Sequence, residues 1–179
     1  MLKRTVLAAA LGIALAAAGV AAAAAVTHQS PRSLAASRAT AGRVTLHKTK
    51  LGKVLATSSG RTLYLFLKDK KGKSSCYSTC ASYWPPLMKK GTLRAGTGVK
   101  KALLGTTKRK NGKRQVTYNH HPLYVYSLDS GAGDVSGQRS NNFGARWYVV
   151  SAAGKAIKAA PPAGGGTTGT ATYTIPTYP

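Results

Sequence analysis

The stretch LYLFLKD at residues 63–69 decides the fold, because it returns as LYVYSLD at residues 123–129. Both stretches fit the pattern L-Y-x-(F/Y)-x-x-D, and their shared positions are all offset by 60 residues. Each copy is followed by a glycine-containing segment and then by a tryptophan, Trp84 or Trp147. The repetition indicates duplication of one unit, so we predict two related halves at about residues 50–90 and 112–155.

The first copy is apolar on both faces of a β-strand. Alternation places Tyr64, Phe66 and Lys68 on one face and three leucines on the other. We therefore expect a central strand whose aromatic side chains lie in the core rather than on a binding platform. The motif residues predicted to be structural are Tyr64, Phe66, Asp69, Trp84, Tyr124, Tyr126, Asp129 and Trp147.

The rest of the central chain consists of short runs rich in Val, Leu and Tyr, separated by Gly, Asn and Ser. This composition favours strands over helices. Ser59-Gly60 and Asn111-Gly112 are predicted turns, the second a type I′ hairpin turn. We predict an all-β fold with little helix, a small sandwich or meander of two pseudo-repeated halves. The predicted strands are residues 44–47, 54–57, 62–67, 115–118, 123–128 and 146–151.

Two further segments have a less regular pattern. Residues 83–88 contain Pro85 and Pro86, which oppose a regular element, and residues 99–104 suit either one helical turn or a strand.

The two ends of the chain differ from its centre. Residues 1–26 join Lys3 and Arg4 to an unbroken alanine-rich apolar run, which is typical of a signal peptide. The run is also long enough to stay in a membrane as an anchor, although its small alanines favour cleavage. Residues 27–42 are predicted to be a disordered linker, 43–158 the β-rich domain, and 159–179 a disordered tail rich in Gly, Thr and Pro.

Charge is the dominant global property of the sequence. Lys and Arg number 27 against three acidic residues, which gives a net charge of +24. This imbalance attracts polyanions, so we expect association with anionic wall polymers or a membrane surface, although a merely solvated basic surface is the alternative. No aromatic residues interleave with the basic clusters to indicate specific nucleic-acid binding. The candidate polyanion-binding residues are Lys68, Lys70, Lys71, Lys73, Lys108, Arg109, Lys110, Lys113 and Arg114.

The acidic residues Asp69 and Asp129 each close a motif copy before a glycine-containing turn. An aspartate in this position can accept backbone N–H bonds two residues further on and fix the reversal, which is the interpretation we favour. Cation binding is the alternative, but it needs more oxygen ligands than this chain offers. A hydrolase is a second alternative, because Asp129 and Asp134 form the one acidic pair available within a loop.

The two cysteines, Cys76 and Cys80, are expected to pair in a protein that leaves the reducing cytoplasm. A metal or redox-cofactor site using both thiols with His121, and with Tyr124 as a possible further member, is the weaker alternative, since Cys and His suit soft metals. The spacing differs from the C-x-x-C of low-pKa redox thiols. We therefore predict a structural disulfide, no catalytic residue and no bound cofactor.

Several spaced motifs resemble one known family, the secreted proteins and predicted bacterial lipoproteins defined by a Y-x-(F/W/Y)-x-x-D repeat. Its C-x-x-x-C-A-x-x-W-P-P-L segment matches residues 76–87, and its Y-N-G-H-P-L-Y and G-x-x-W-Y-V-V segments match residues 118–124 and 144–150. The lipid-attachment cysteine is missing here, and His120 stands where the family tends to have glycine. The resemblance implies a secreted or cell-envelope protein and leaves its biochemical activity open. We predict a non-enzymatic, monomeric protein.

Overall fold

The computed structural model describes residues 40–70 and 72–162. The predicted signal peptide and most of the predicted linker and tail lie outside these residues. The described part contains no helix of the length and apolarity needed to cross a membrane. In chain order the elements are β1 (Thr40–Thr49), β2 (Gly52–Thr57), β3 (Tyr64–Phe66), α1 (Ser78–Tyr83), β4 (Met88–Ala95), a 3-10 turn (Lys101–Leu103), β5 (Leu104–Lys108), β6 (Arg114–Tyr118), β7 (His121–Pro122), β8 (Asn141–Asn142) and β9 (Ala145–Val149).

The all-β prediction is confirmed, with corrections to individual strands. Residues 123–128 were expected to form a strand, but no continuous strand forms there, and within this segment β-bridges are made by Tyr124, to Tyr64 and Pro86. The exposed, lysine-containing strand β4 was not predicted, because its sequence MKKGTLRA lacks apolar alternation. It is a strand because it pairs with both β1 and β6. Strand β1 begins at Thr40, ahead of the expected domain boundary.

The strands form a six-stranded sheet in the order β2-β1-β4-β6-β5, in which β7 also pairs with β6, and a three-stranded sheet in the order β3-β9-β8. The β1 and β4 strands are parallel, whereas the other ladders are antiparallel. A parallel pair needs a crossover, so the expected meander describes the β1–β2 and β5–β6–β7 hairpins but not the whole domain.

Strand β2 meets the three-stranded sheet through three backbone hydrogen bonds that close a cycle. The Leu55 N–H donates to the Val150 carbonyl (2.8 Å), Val150 to Leu63 (3.2 Å), and Leu63 back to Leu55 (2.9 Å). Two of these residues belong to the first copy, while Val150 follows the tryptophan of the second. The chain after Trp147 therefore completes the first half.

An equivalent cycle completes the second half. The Val116 N–H donates to the Leu87 carbonyl (2.8 Å), Leu87 to Leu123 (2.8 Å), and Leu123 back to Val116 (3.0 Å). Here Leu87, which follows the tryptophan of the first copy, joins two residues of the second. The two copies thus exchange the segments that follow their tryptophans.

The motif strand separates two cores, as its pattern predicts. Leu63 and Leu65 lie in an aliphatic core, and Tyr64 and Phe66 lie in an aromatic one. All four side chains are buried, whereas Leu67 is 49% exposed. The expectation that β3 is buried on both faces, with its aromatic side chains in the core, is confirmed.

The turns before and after β6 differ in backbone conformation. The Asn111-Gly112 hairpin between β5 and β6 forms, but it is not type I′, because of these two residues only Gly112 has a positive φ (77°). A two-residue turn with positive φ at both positions occurs instead at Asn119 (46°) and His120 (64°), between β6 and β7. Glycine adopts this conformation without strain, whereas it is unfavourable for the histidine that stands at position 120.

Candidate functional site

The motif tyrosines and aspartates bind each other across the two copies. The Tyr64 hydroxyl donates to Asp129 Oδ2 (2.9 Å), and the Tyr124 hydroxyl donates to Asp69 Oδ2 (2.7 Å). Each bond joins the tyrosine of one copy to the aspartate of the other. The repeated motif is therefore a reciprocal link between the halves, and neither copy satisfies its own tyrosine.

The second carboxylate oxygen of each aspartate holds the loop that follows. Asp69 Oδ1 accepts the Ser75 N–H (2.7 Å) and hydroxyl (2.8 Å), and Asp129 Oδ1 accepts the Ser136 N–H (3.0 Å). The donors observed stand six and seven residues after the aspartates rather than two. The residue two positions after Asp69 lies outside the described residues. Each aspartate therefore binds both the loop that follows it and the tyrosine of the opposite copy.

The motif rings form a continuous stack in the aromatic core. Trp84 and Trp147 stack with ring centroids 3.9 Å apart and an interplanar angle of 3°. Phe66 stacks on Trp147 (3.9 Å) and Tyr126 on Trp84 (4.3 Å), so each motif ring contacts the tryptophan of the other copy. Aromatic contacts of this kind add about 0.5–1.5 kcal/mol each beyond the area they bury. All four side chains lie in this core, where the sequence placed the motif aromatic residues.

The environment of Asp129 raises its pKa to about 7, mainly because the carboxyl is buried, while the Tyr64 hydrogen bond acts in the opposite direction and the Asp134 charge adds to the rise. Burial likewise raises the pKa of Asp69, against the hydrogen bonds from Tyr124 and Ser75. Burial and the neighbouring aspartate also raise the pKa of both tyrosines, so their phenols stay protonated.

The acidic pair considered for hydrolysis is held in structural bonds. Asp129 is 6% exposed, and both of its oxygens already accept hydrogen bonds. Asp134 is tied into its own loop by the N–H and hydroxyl groups of Ser130 and by the Val135 N–H. Burial acts to raise the pKa of Asp134, but these hydrogen bonds outweigh it and lower the pKa. The geometry thus favours support of the loop over substrate chemistry.

The cysteines form the expected disulfide, Cys76–Cys80. Their sulfurs are bonded to each other, so the alternative site of Cys76, Cys80 and His121 has no thiolate ligands. No group of three or more His, Cys, Asp or Glu residues among residues 40–70 and 72–162 is arranged to hold a metal. His121 is half-buried, and burial lowers its pKa although the charge of Asp69 acts to raise it.

The predicted polyanion-binding residues differ in their exposure. Arg109 is 6% exposed, and its guanidinium donates hydrogen bonds to groups inside the protein. The prediction that Arg109 binds a polyanion is therefore corrected, because its guanidinium has a structural role. Lys71 lies outside the described residues. Lys68 is exposed and its ammonium group donates to the Phe143 carbonyl (3.1 Å). The remaining members are exposed, namely Lys70, Lys73, Lys108, Lys110, Lys113 and Arg114.

These exposed cations lie on two segments that the fold brings together, the turn of Lys70 and Lys73 and the β5–β6 hairpin. Lys70 and Lys73 flank a tight turn, where the Lys73 N–H donates to the Lys70 carbonyl (3.0 Å). At the tip of the β5–β6 hairpin, the Lys110 ammonium lies 5.1 Å from the centre of the Tyr77 ring. The hairpin tip therefore packs beside the loop of residues 72–77, which the sequence did not indicate.

Sequence reasoning also missed Arg61, which stands before the first motif as His121 stands before the second. The Arg61 Nη2 donates to the Tyr126 carbonyl (2.6 Å), and its charge acts to lower the pKa of Asp129. The charge of Asp69, in the other half, likewise acts on the pKa of His121. The shared 60-residue offset could have identified the pair, because both basic side chains come to lie near the aspartate of the opposite copy.

Comparison with known proteins supports the repeat. A family model described as a secreted repeat of unknown function matches the chain twice, over residues 45–88 and 105–151. The two matches cover half of the chain and coincide with the two copies. No curated protein and no solved structure matches the chain.

Proposed function

Because the chain belongs to the family of secreted repeats of unknown function, we propose that it is a non-enzymatic exported protein that associates with anionic polymers of the cell envelope. Its secretion follows from the family. The association with polymers is our proposal, and it rests on how the fold distributes charge.

The observation that carries the proposal is the internal use of every carboxylate side chain. The chain has three acidic residues, and Asp69, Asp129 and Asp134 each accept hydrogen bonds from hydroxyl or backbone N–H donors within the fold. The exposed lysines described above have no carboxylate partner among the described residues. A surface with such uncompensated positive charge attracts polyanions.

A polymer suits this surface better than a membrane. Peripheral binding to a bilayer usually combines cations with an apolar face that enters the lipid. Among the described residues, the large hydrophobic side chains that are exposed are Leu67 (49%) and Leu128 (40%), which belong to different motif copies. The cations of the two loops can instead bind successive anionic groups along a flexible chain.

Retention on immobilised poly(glycerol phosphate), measured at increasing salt, tests the proposal. Binding should weaken steeply with salt, since for a single-stranded polyanion each neutralised phosphate adds about 0.7 to the slope of log K against log salt. A Lys70→Gln/Lys110→Gln/Lys113→Gln variant should lower that slope by about 2.

The matched control removes the same charge elsewhere. Lys48, Lys50 and Lys53 are exposed and lie at the β1–β2 hairpin, on the opposite side of the strand order from β5. Their triple change to Gln should have a smaller effect than the first variant. An equal loss of retention in both variants would mean that the interaction depends on net charge alone. Salt-independent retention, or binding to anionic lipid vesicles without binding to the polymer, would contradict the proposal.

A further inference from the structure

We infer that Arg109 is a positioning residue that joins the two basic loops into one surface, selective for a linear polyanion long enough to contact both. The inference rests on the proposed function and names its ligand class more narrowly. Arg109 itself need not touch the polymer.

The buried guanidinium of Arg109 fastens the β5–β6 hairpin to the loop of residues 72–77. Arg109 Nη1 donates to Ser74 Oγ (2.8 Å), and Nη2 donates to the Cys76 carbonyl (2.6 Å). The guanidinium carbon also lies 4.3 Å from the centre of the Tyr77 ring. One guanidinium group can make these three contacts because it is planar and presents several donors in fixed directions.

Arg109 is also held from its own side of the contact. Its Nη1 donates to Gln115 Oε1 (2.5 Å), and Gln115 Nε2 donates to the Leu123 carbonyl (2.8 Å). Gln115 is fully buried in strand β6. A buried charge with this many partners has little freedom, so the hairpin tip keeps one position relative to the loop.

The exposed cations are neighbours in sequence of the residues that form this contact. Lys73 precedes Ser74, while Lys108 and Lys110 flank Arg109. A short anion can contact only one loop at a time. A longer chain that has bound one loop meets the second at a high effective concentration, so its affinity exceeds that of either loop alone.

Length selectivity is the readout that separates positioning from simple charge. Affinities of the full chain for a long polyphosphate and for tripolyphosphate are measured at one ionic strength. Arg109→Gln should weaken binding of the long chain by about tenfold or more and of tripolyphosphate by about twofold or less, because it releases one loop from the other. Lys110→Gln, which also removes one positive charge, should have the smaller effect on the long chain.

Exposed variants keep the test independent of folding. Lys73→Gln and Lys113→Gln each weaken one loop, so each should reduce affinity for the long chain more than for tripolyphosphate, which can use the intact loop. Equal losses for both lengths in these variants, with Arg109→Gln no worse than Lys110→Gln, would overturn the role of Arg109 and leave the proposed function standing. If the unaltered protein binds neither phosphate chain, the proposed function itself fails.

Discussion

The two Tyr–Asp links join the same pair of groups but have different surroundings. Asp129 is almost completely buried, receives one loop N–H and has Asp134 as a neighbour. Asp69 is half-buried, receives both an N–H and a hydroxyl from Ser75, and lies near the guanidinium of Arg109. Both copies therefore keep the structural link, but its environment differs between them. The Asp69 link is the one that lies beside the basic loops.

The tryptophan stack should be the most sensitive feature that the halves share. Trp84→Ala and Trp147→Ala each remove a fully buried ring that stacks on the other tryptophan and on the motif ring of the opposite copy. We expect each change to lower the free energy of unfolding by about 3–5 kcal/mol. Urea denaturation measures both values. A large effect in only one variant would contradict the equivalence of the two halves.

The dependence of stability on pH should distinguish the two aspartates. Since the folded pKa of Asp129 is about 7, above that of an exposed aspartate, the folded state binds an extra proton between about pH 4 and 7. Its stabilising contribution is present at low pH and is lost as pH rises, by about 2–4 kcal/mol.

Asp129→Asn should abolish that part of the decline when unfolding free energies are compared at several pH values. Asp134→Asn is the matched control, because its lowered pKa gives the opposite sign, a contribution present above the unfolded pKa and lost as pH falls. An unchanged profile in Asp129→Asn would mean that Asp129 is ionised in the folded state throughout.

The tyrosine hydroxyls allow a smaller and more direct comparison. Tyr64→Phe leaves Asp129 with only the Ser136 N–H, whereas Tyr124→Phe leaves Asp69 with both donors of Ser75. We expect the free energy of unfolding to fall by about 2–3 kcal/mol for the first variant and by about 1–2 kcal/mol for the second. The first loss is larger because Asp129 Oδ2 is then a buried acceptor without a donor. Thermal and urea unfolding at pH 7 measure both. The reverse order would show that exposure does not compensate Asp69.

The smallest expected effect is at the turn before each motif. Gly60 and His120 occupy equivalent positions and both have positive φ, 82° and 64°. His120→Gly should stabilise the protein by about 1 kcal/mol, because it relieves a conformation unfavourable to side chains. His120→Ala, which keeps the strain, should bring no such gain. Gly60→Ala should destabilise, since an added Cβ would lie 2.7 Å from the Ala132 Cβ.

The sequence allowed the fold class, the disulfide and the burial of β3 to be predicted, because each depends on local pattern or on compartment. It did not reveal the exchange between copies. The pattern L-Y-x-(F/Y)-x-x-D shows that Tyr64 and Asp129 are repeated residues, but it cannot show which tyrosine reaches which aspartate. That depends on the chain crossing that places Leu87 and Val150 in opposite halves.

The candidate surface was predictable in composition but not in arrangement. Lysine clusters are visible in the sequence, and most of their described members are exposed. Arg109 resembles its neighbours in the sequence, and only the packing of the hairpin shows that it is buried. Arg61 was missed because it stands outside any cluster of basic residues, and only its 60-residue offset from His121 links it to the repeat.

The exchanged motifs also bear on how such a protein could have arisen. A peptide with a single copy would have a tyrosine without its aspartate and a tryptophan without its stacking partner. Two identical peptides could supply each other's missing groups around a two-fold axis, since in such a dimer each contact occurs twice. Fusion of the two genes would then make the association intramolecular and free each copy to evolve separately. The present chain is consistent with an ancestral symmetric homodimer that became one polypeptide.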